Sequence, residues 1–90
     1  MKIEKTIALL DTTFIQEVED ETILLDTLTE EYFTLNESAS LFYSVLLEES
    51  NLDKAVDILE SQIEISRKII QIDLLQFVNA LKDKELINFI

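Results

Sequence analysis

The hydrophobic pattern of this sequence changes at Asn36, and that change constrains the fold more than any other feature. The segment from Phe14 to Asn36 reads FIQEVEDETILLDTLTEEYFTLN, in which short apolar or β-branched runs are separated by acidic clusters. Runs bounded in this way are typical of strands. After Asn36 the apolar residues recur at the three- and four-residue spacing of amphipathic helices. The pattern therefore predicts a small sheet followed by helices.

The first part of the pattern predicts three short strands, at about Phe14 to Val18, Ile23 to Asp26 and Tyr32 to Leu35. Their short connections favour an antiparallel meander, because parallel pairing needs a crossover of about a dozen residues. The chain contains neither glycine nor proline, so aspartate, asparagine, serine, threonine and glutamate must form the turns. A sheet of three strands has two open edges, and we expect the third strand to be one of them.

The second part predicts three helices, each preceded by a residue whose side chain can accept hydrogen bonds from the free amides of the first turn. The capping residues are Asn36, Ser50 or Asn51, and Ser66. The helices extend over about Glu37 to Glu49, Leu52 to Gln62 and Arg67 to Lys84. This order predicts an α+β fold in which a three-stranded antiparallel sheet packs one face against three helices. We assign residues 1–90 to a single domain, because a chain of this length buries one modest core.

The third helix carries two apolar stripes, although a surface helix needs only one. The principal stripe, which we assign to the core, consists of Ile70, Leu74, Phe77, Val78 and Leu81. A second stripe on roughly the opposite side consists of Lys68, Ile72, Leu75 and Asn79. The second stripe is therefore a candidate for contact with another molecule.

The composition excludes most catalytic chemistry. Cysteine and histidine are absent, which removes disulfides, thiolate nucleophiles, imidazole acid–base catalysis and the usual zinc ligands. Without glycine the chain cannot form a phosphate-binding loop. No carboxylate pattern marks a concave catalytic site, and no loop has the spacing of a calcium site. We expect a protein that is not an enzyme and that uses no cofactor and no metal ion.

The formal net charge is −12, from 19 acidic and 7 basic residues. Such a surface repels nucleic acid and anionic membranes. The sequence has no apolar run of about 18 residues, and its first stretch, MKIEKTIALL, reaches Asp11 too early for a signal peptide. We therefore expect no nucleic-acid partner, no membrane contact and a cytoplasmic location.

Four stretches of the sequence are similar to those of a known protein family. They are the strand from Ile23 to Asp26, EYFTLNESA from Glu31 to Ala39, LDKAVDIL from Leu52 to Leu59, and DLLQFVNALKDKELI from Asp73 to Ile87. In these stretches the chain resembles the PqqD family, and the likeness covers about Phe14 to Ile87. The family often has glycine after the first helix and again before its final Leu-Ile, where this chain has residues such as Ser50 and Glu85. These departures affect the geometry of the turns more than the fold.

The resemblance implies a fold like a winged helix-turn-helix and a non-catalytic role in recognising the leader peptides of ribosomally made, modified peptides. It also implies an enzyme that acts on the bound precursor. Two settings fit a free-standing chain. In lasso-peptide biosynthesis the enzyme is a leader protease, whereas in quinone-cofactor biosynthesis it is a radical modification enzyme. We favour the lasso-peptide setting.

The third predicted strand is the candidate peptide-binding edge. Its residues Tyr32, Phe33, Thr34 and Leu35 are expected to accept the leader peptide as a fourth strand, with main-chain hydrogen bonds for affinity and side-chain pockets for register. The alternative is a strand that simply ends the sheet, since every open sheet has edges.

The second stripe of the third helix is the candidate second wall of a groove, with the peptide lying against Ile72 and Leu75. The same stripe is equally suited to a contact between two copies of the chain in a homodimer. Arg67 and Lys68 lie in the first turn of this helix, where cations are slightly unfavourable and a bound anion compensates. They are candidates for pairing with leader carboxylates, and a solvated or Glu64-paired position is the alternative.

Two other functions have the same order of elements. A winged-helix nucleic-acid reader needs several Lys or Arg on its recognition helix, and the acidic surface here argues against it. A dimerisation module that uses the second stripe would show a concentration-dependent mass without affinity for a peptide.

Overall fold

The structure is a computed structural model, and it describes residues 5–9, 13–19 and 21–89. The elements in these residues are β1 (Ile7–Leu9), β2 (Thr13–Val18), β3 (Glu21–Asp26), β4 (Glu31–Leu35), α1 (Glu37–Glu48), α2 (Leu52–Gln62), α3 (Arg67–Asp83) and β5 (Ile87–Phe89). Strands β2, β3 and β4 form an antiparallel sheet in that order. The predicted α+β fold is confirmed, and the third predicted strand is β4, at an edge of this sheet.

A second sheet, of two strands, was not predicted. In it β1 pairs with β5 in antiparallel fashion, so that Ile7 lies opposite Phe89. The other side of β1 is bonded to the connection between α1 and α2, where the Ile7 amide donates to the Ser50 carbonyl at 3.0 Å. Three-residue strands are too short to show an alternating pattern, and these two are separated by most of the chain.

Three glutamates have a left-handed backbone conformation, which is the conformation that glycine adopts most readily. Glu19, Glu30 and Glu85 have φ values of 57°, 61° and 58°, and each such residue costs about 1 kcal/mol. Glu85 follows α3, where the Leu86 amide donates to the Leu81 carbonyl at 3.0 Å and closes the end of the helix. A glutamate therefore adopts the conformation that a glycine at this position would adopt at lower cost.

The predicted helix caps are confirmed, with Asn51 rather than Ser50 at the second helix. The Asn36 side chain accepts a hydrogen bond from the Ala39 amide at 2.9 Å. The Asn51 side chain accepts one from Lys54 at 3.0 Å, and Ser66 accepts one from Ile69 at 3.4 Å. These bonds fix where each helix begins, and hence which face it presents to the sheet.

The core lies between the three-stranded sheet and the helices. Helix α1 packs against β3 and β4, whereas α3 packs against α2 and β5. The largest side chains with almost no exposure are Ile7, Leu24, Leu46, Leu52, Leu59, Ile70, Leu74 and Ile87. Tyr43 belongs to the same core, and burial raises the pKa of its phenol above the ordinary value. Because α3 is held by α2 and β5, it stands beside the edge of β4 without covering it.

The sheet has two different faces because side chains alternate along each strand. The inner face, toward the helices, carries Ile15, Leu24 and Phe33, which lie opposite one another across the strands. The outer face carries the cross-strand row of Phe14, Leu25 and Tyr32. Phe14 is 59% exposed and Tyr32 is 70% exposed, so this outer row is largely open to solvent.

Candidate functional site

A groove of about 400 Å³ lies between the open edge of β4 and the C-terminal half of α3. Its lining residues are Tyr32, Phe33, Thr34, Leu35, Asn36, Ala39, Phe77, Ala80, Leu81 and Lys84. One wall is therefore a strand edge that pairs with no further strand in the described part of the chain, and the other wall is a helix face. An extended peptide that adds to β4 would place every second side chain in this groove.

Phe77 and Ala80 give the helix wall its shape. The Phe77 ring packs edge to face on Phe42, with 6.1 Å between the ring centroids and 63° between the ring planes. One turn further along α3, Ala80 is exposed and its small side chain leaves space beside Phe33. The sequence pattern assigned Phe77 to the core, whereas the structure leaves it half-buried with one side facing the groove.

A second hollow, of about 440 Å³, continues the groove past the start of α1. It shares Asn36, Ala39 and Phe77 with the groove and is otherwise lined by Ser38, Leu41, Phe42, Ile63, Ile65, Asp73 and Gln76. The lining is mostly apolar. A peptide that leaves the Leu35 end of β4 would therefore enter a pocket that suits a bulky apolar side chain.

All four predicted residues of the third strand line the groove. Phe33 and buried Leu35 face the helices, whereas Tyr32 and Thr34 share the outer face of the sheet with β3. The sequence placed these residues correctly because strand alternation and the edge position follow from the local pattern and the short turns.

The stripe predicted as the helix wall lies outside this groove. The stripe of Lys68, Ile72, Leu75 and Asn79 does not line the groove, which α3 faces with Phe77, Ala80, Leu81 and Lys84 instead. On a helical wheel the centres of the two sets are separated by nearly half a turn, about 160°. Ile72 remains 42% exposed and Leu75 is partly buried against the core. The sequence showed that α3 has a second non-core face but gave no information on which side β4 stands.

Arg67 is engaged by α2 and does not line the groove. Its guanidinium lies 2.6 Å from Asp57, 3.4 Å from Glu60 and 3.5 Å from Asp53. The hydrogen bond to Asp57 is the main reason that the pKa of Arg67 is raised further above its ordinary value. These partners are neither the leader carboxylates nor the Glu64 that the sequence offered. Arg67 therefore joins α3 to α2, while Lys68 is exposed.

Lys84 lines the groove, although the sequence pattern did not predict it as a site residue. It caps the C-terminal end of α3, and its ammonium lies 4.9 Å from the centre of the Phe33 ring. The spacing of Phe77, Ala80 and Lys84 places all three on one helix face. That spacing was visible in the sequence, but Ala80 and Lys84 are not apolar enough to mark a stripe.

In residues 5–9, 13–19 and 21–89, no group of three or more acidic side chains is placed to hold a metal ion. No helix of the described chain combines the length and the apolar character needed to cross a membrane.

The fold and the groove together define a class of protein. It is a small α+β fold of the winged helix-turn-helix kind, with an open strand edge beside a helix. Residues 21–87 match the model of PqqD, coenzyme PQQ synthesis protein D, and the chain therefore belongs to the PqqD family.

Two solved structures are similar to this chain. TbiB1 in complex with the TbiA(beta) leader peptide is 30% identical, with a TM-score of 0.83 and coverage of 98% of this chain and 95% of that chain. A lasso peptide synthetase B1 complexed with the leader peptide is 24% identical, with a TM-score of 0.81 and coverage of 92% and 98%, and supports the fold alone. No curated protein matches the chain.

Proposed function

We propose that this chain is a non-catalytic adaptor that binds the leader peptide of a ribosomal precursor and presents the precursor to a processing enzyme. The observation that carries the proposal is the groove of about 400 Å³, in which the edge of β4 faces the side of α3 that carries Phe77, Ala80 and Lys84. TbiB1, which is 30% identical over nearly the whole chain, is a protein in complex with a leader peptide.

Binding uses two kinds of contact. The main-chain groups on the free edge of β4 form a hydrogen-bond ladder with the main chain of the peptide. These bonds do not depend on the sequence of the peptide. Alternate peptide side chains point inward to Phe33, Phe77 and Ala80 and give specificity, because only side chains of fitting size bury their apolar area there. The leader thus becomes a fourth strand of the sheet.

The setting that we favour is lasso-peptide biosynthesis, with a leader protease as the partner enzyme. A protein with the same fold, 24% identical, is a lasso peptide synthetase B1 complexed with the leader peptide, which is in keeping with this setting. A radical modification enzyme in quinone-cofactor biosynthesis is the alternative, in keeping with the family's description as a coenzyme synthesis protein. In either setting the adaptor acts in the cytoplasm, where ribosomal precursors are made.

The test is fluorescence anisotropy of a labelled leader peptide from the precursor encoded beside this chain. Ala80→Glu places a charged side chain in the groove, and Asn79→Glu places one on the neighbouring helix face outside it. Both positions are exposed, so both variants should fold. We expect micromolar or tighter binding that Ala80→Glu weakens at least about tenfold and Asn79→Glu leaves within about twofold.

The opposite ranking would return the site to the stripe of Lys68, Ile72, Leu75 and Asn79. No binding by the folded wild-type chain, together with a mass that rises with concentration in sedimentation, would replace the adaptor with a dimerisation module. The exposed side chains of Ile69 and Ile72 supply the apolar surface for that alternative.

The outer face of the sheet is the surface that we propose for the processing enzyme. The row of Phe14, Leu25 and Tyr32 is apolar and open, and it points away from the groove wall of α3. A leader strand on β4 extends this row with its own outward side chains, so the enzyme contacts adaptor and leader on one continuous face. The acidic chain around it favours an enzyme surface with a basic rim.

Phe14→Ser tests this surface, because Phe14 lies on the strand farthest from the groove. Leader binding should be unchanged, whereas cleavage or modification of the precursor by the enzyme encoded beside it should slow several-fold. Leu47→Ser, at a comparably exposed leucine on α1, is the matched control and should slow neither step. Equal slowing by both variants would contradict the assignment of the outer face.

A further inference from the structure

Lys84 is the one charged side chain among the described residues that line the groove. The rest of the lining is apolar or uncharged, although the whole chain has a net charge of −12. Lys84 is exposed to solvent, so its ammonium needs no partner while the groove is empty.

Lys84 has no carboxylate partner in the described part of the chain. The hollow next to the groove is lined by Asp26, Glu31, Asp83 and Glu85 as well as Lys84, but none of them forms an ion pair with it. The ammonium instead lies over the Phe33 ring at 4.9 Å, at the helix end where a cation is favoured. By contrast, the Lys82 ammonium donates to the Asn88 side chain at 3.4 Å. Lys84 is thus held in place and still free to bind an anion.

The direction of the leader follows from the sheet. Its described strands all pair in antiparallel fashion, and a peptide that adds to β4 in the same way runs from the Leu35 end toward the Glu31 end. Phe77 lies at the Leu35 end of the groove, beside Asn36 and Ala39, and Lys84 lies at the other end, beside Phe33. The peptide therefore passes Phe77 first and Lys84 later.

Phe77 and Lys84 are about two helical turns apart, or about 10 Å along the axis of α3. That distance corresponds to about three residues of an extended strand. Only alternate side chains face the groove, which leaves an offset of about two or four residues.

We propose that Lys84 is a specificity-determining residue that binds a carboxylate of the leader peptide, from an Asp or Glu about two or four residues after the apolar residue that contacts Phe77. This assignment rests on the proposed function. When the leader covers the groove, water is excluded from Lys84, so an ammonium without an anion is penalised and a charge-assisted hydrogen bond is strengthened.

The acidic surface makes this recognition selective. Acidic side chains elsewhere in the leader meet the negative field of the chain and are disfavoured. The ammonium of Lys84 is a positive charge within this negative surface, so an acidic residue of the leader is accepted at the position beside it. The charge pattern of the peptide thereby sets its register on β4.

The experiment is a double-mutant cycle by fluorescence anisotropy. The probe is the labelled leader segment of the precursor encoded beside this chain, together with versions in which each Asp or Glu is changed singly to Asn or Gln. One of these changes should weaken binding to the wild-type chain about five- to tenfold and should not weaken binding to Lys84→Met. Lys84→Arg should keep the sensitivity to that change, and so should the matched control Lys82→Met, which removes a charge from the same turn outside the groove.

The outcomes separate the two proposals. If the wild-type chain binds no version of the peptide, the adaptor function fails. If the wild-type chain binds the unchanged leader, two results would overturn the role of Lys84 and leave the adaptor function standing. In the first, no amide substitution of an acidic leader residue weakens binding to the wild-type chain. In the second, the same substitution weakens binding to the wild-type chain and to Lys84→Met equally. Thermal unfolding of Lys84→Met by circular dichroism establishes that the variant is folded, and the coupling should shrink as salt is raised.

Discussion

The two open edges of the three-stranded sheet have the same backbone chemistry but different surroundings. At β4 the edge faces a helix across a mostly apolar groove with one cation. At the other edge, β2, a hollow at the β2–β3 turn is lined by Glu17, Glu19, Glu21 and Glu37 among others. In the described part of the chain neither edge pairs with a further strand, and at β4 a helix supplies a second wall where peptide side chains can bury apolar area.

If β4 is the peptide site, as we propose, the feature that distinguishes it from β2 is the helix that stands beside it. The position of α3 relative to β4 is set at a distance, by the packing of α3 on α2 and β5. The residues that create the groove therefore include buried Leu74, which does not line it.

The largest expected effect comes from removing the packing that holds the second wall. Leu74 is 0% exposed on the core side of α3, so Leu74→Ala should lower the free energy of unfolding by about 2–5 kcal/mol. Ile72→Ala, on the exposed side of the same helix, should cost about 0.5 kcal/mol or less. Urea denaturation followed by circular dichroism measures both. Similar losses in the two variants would mean that α3 is not oriented as described.

Amide hydrogen exchange tests the two edges directly. A leader peptide at about 100 times its Kd stabilises the bound state by about 2.7 kcal/mol, so exchange of the β4 edge amides should slow by up to about 100-fold. The β2 edge amides gain no partner and should change little. Protection at β2 with none at β4 would assign the peptide to the opposite edge.

Glycine substitutions test whether the turn before β3 and the turn before β4 are equally strained. We expect equal strain, so that the turns do not account for the difference between the two edges. Glu19 precedes β3 and Glu30 precedes β4, and both have positive φ. Glu19→Gly and Glu30→Gly should each raise the free energy of unfolding by about 0.5–1 kcal/mol, because the left-handed strain is relieved. Thr29→Gly, at a turn position without positive φ, should give no gain. Unequal gains at Glu19 and Glu30 would place part of the difference between the edges in the turns.

The smallest effect is expected at Arg67, which ties the start of α3 to α2 at the surface. Arg67→Met should lower stability slightly at low salt, and the difference from wild type should vanish at high salt because exposed ion pairs are screened. Leader binding should be unaffected, since Arg67 does not line the groove. Thermal melts at two salt concentrations and one binding titration check both expectations, and a loss of binding alone would restore Arg67 to the peptide site.

Much of the fold followed from local patterns. The acidic clusters on either side of Ile23 to Asp26 separate the apolar runs and so predicted the strands. Asn36 and Ser66 marked the starts of α1 and α3 through their side-chain hydrogen bonds. The strand β4 was placed at an edge because three strands joined by short turns leave the last one unpaired on one side. The short strands β1 and β5 were missed because their pairing joins distant parts of the chain, and no local signal encodes it.

By itself, the sequence determined the order of elements, the caps, the edge position of β4 and the existence of two non-polar faces on α3. These properties depend on the spacing of side chains along one element, which the sequence states directly. Only the tertiary structure decided which face of α3 meets the peptide groove, bringing Phe77, Ala80 and Lys84 to β4 and leaving Ile72 outside. The reason is physical: the rotation of a helix about its axis is fixed by the neighbours on which it packs, here α2 and β5, and a helical period alone does not specify those neighbours.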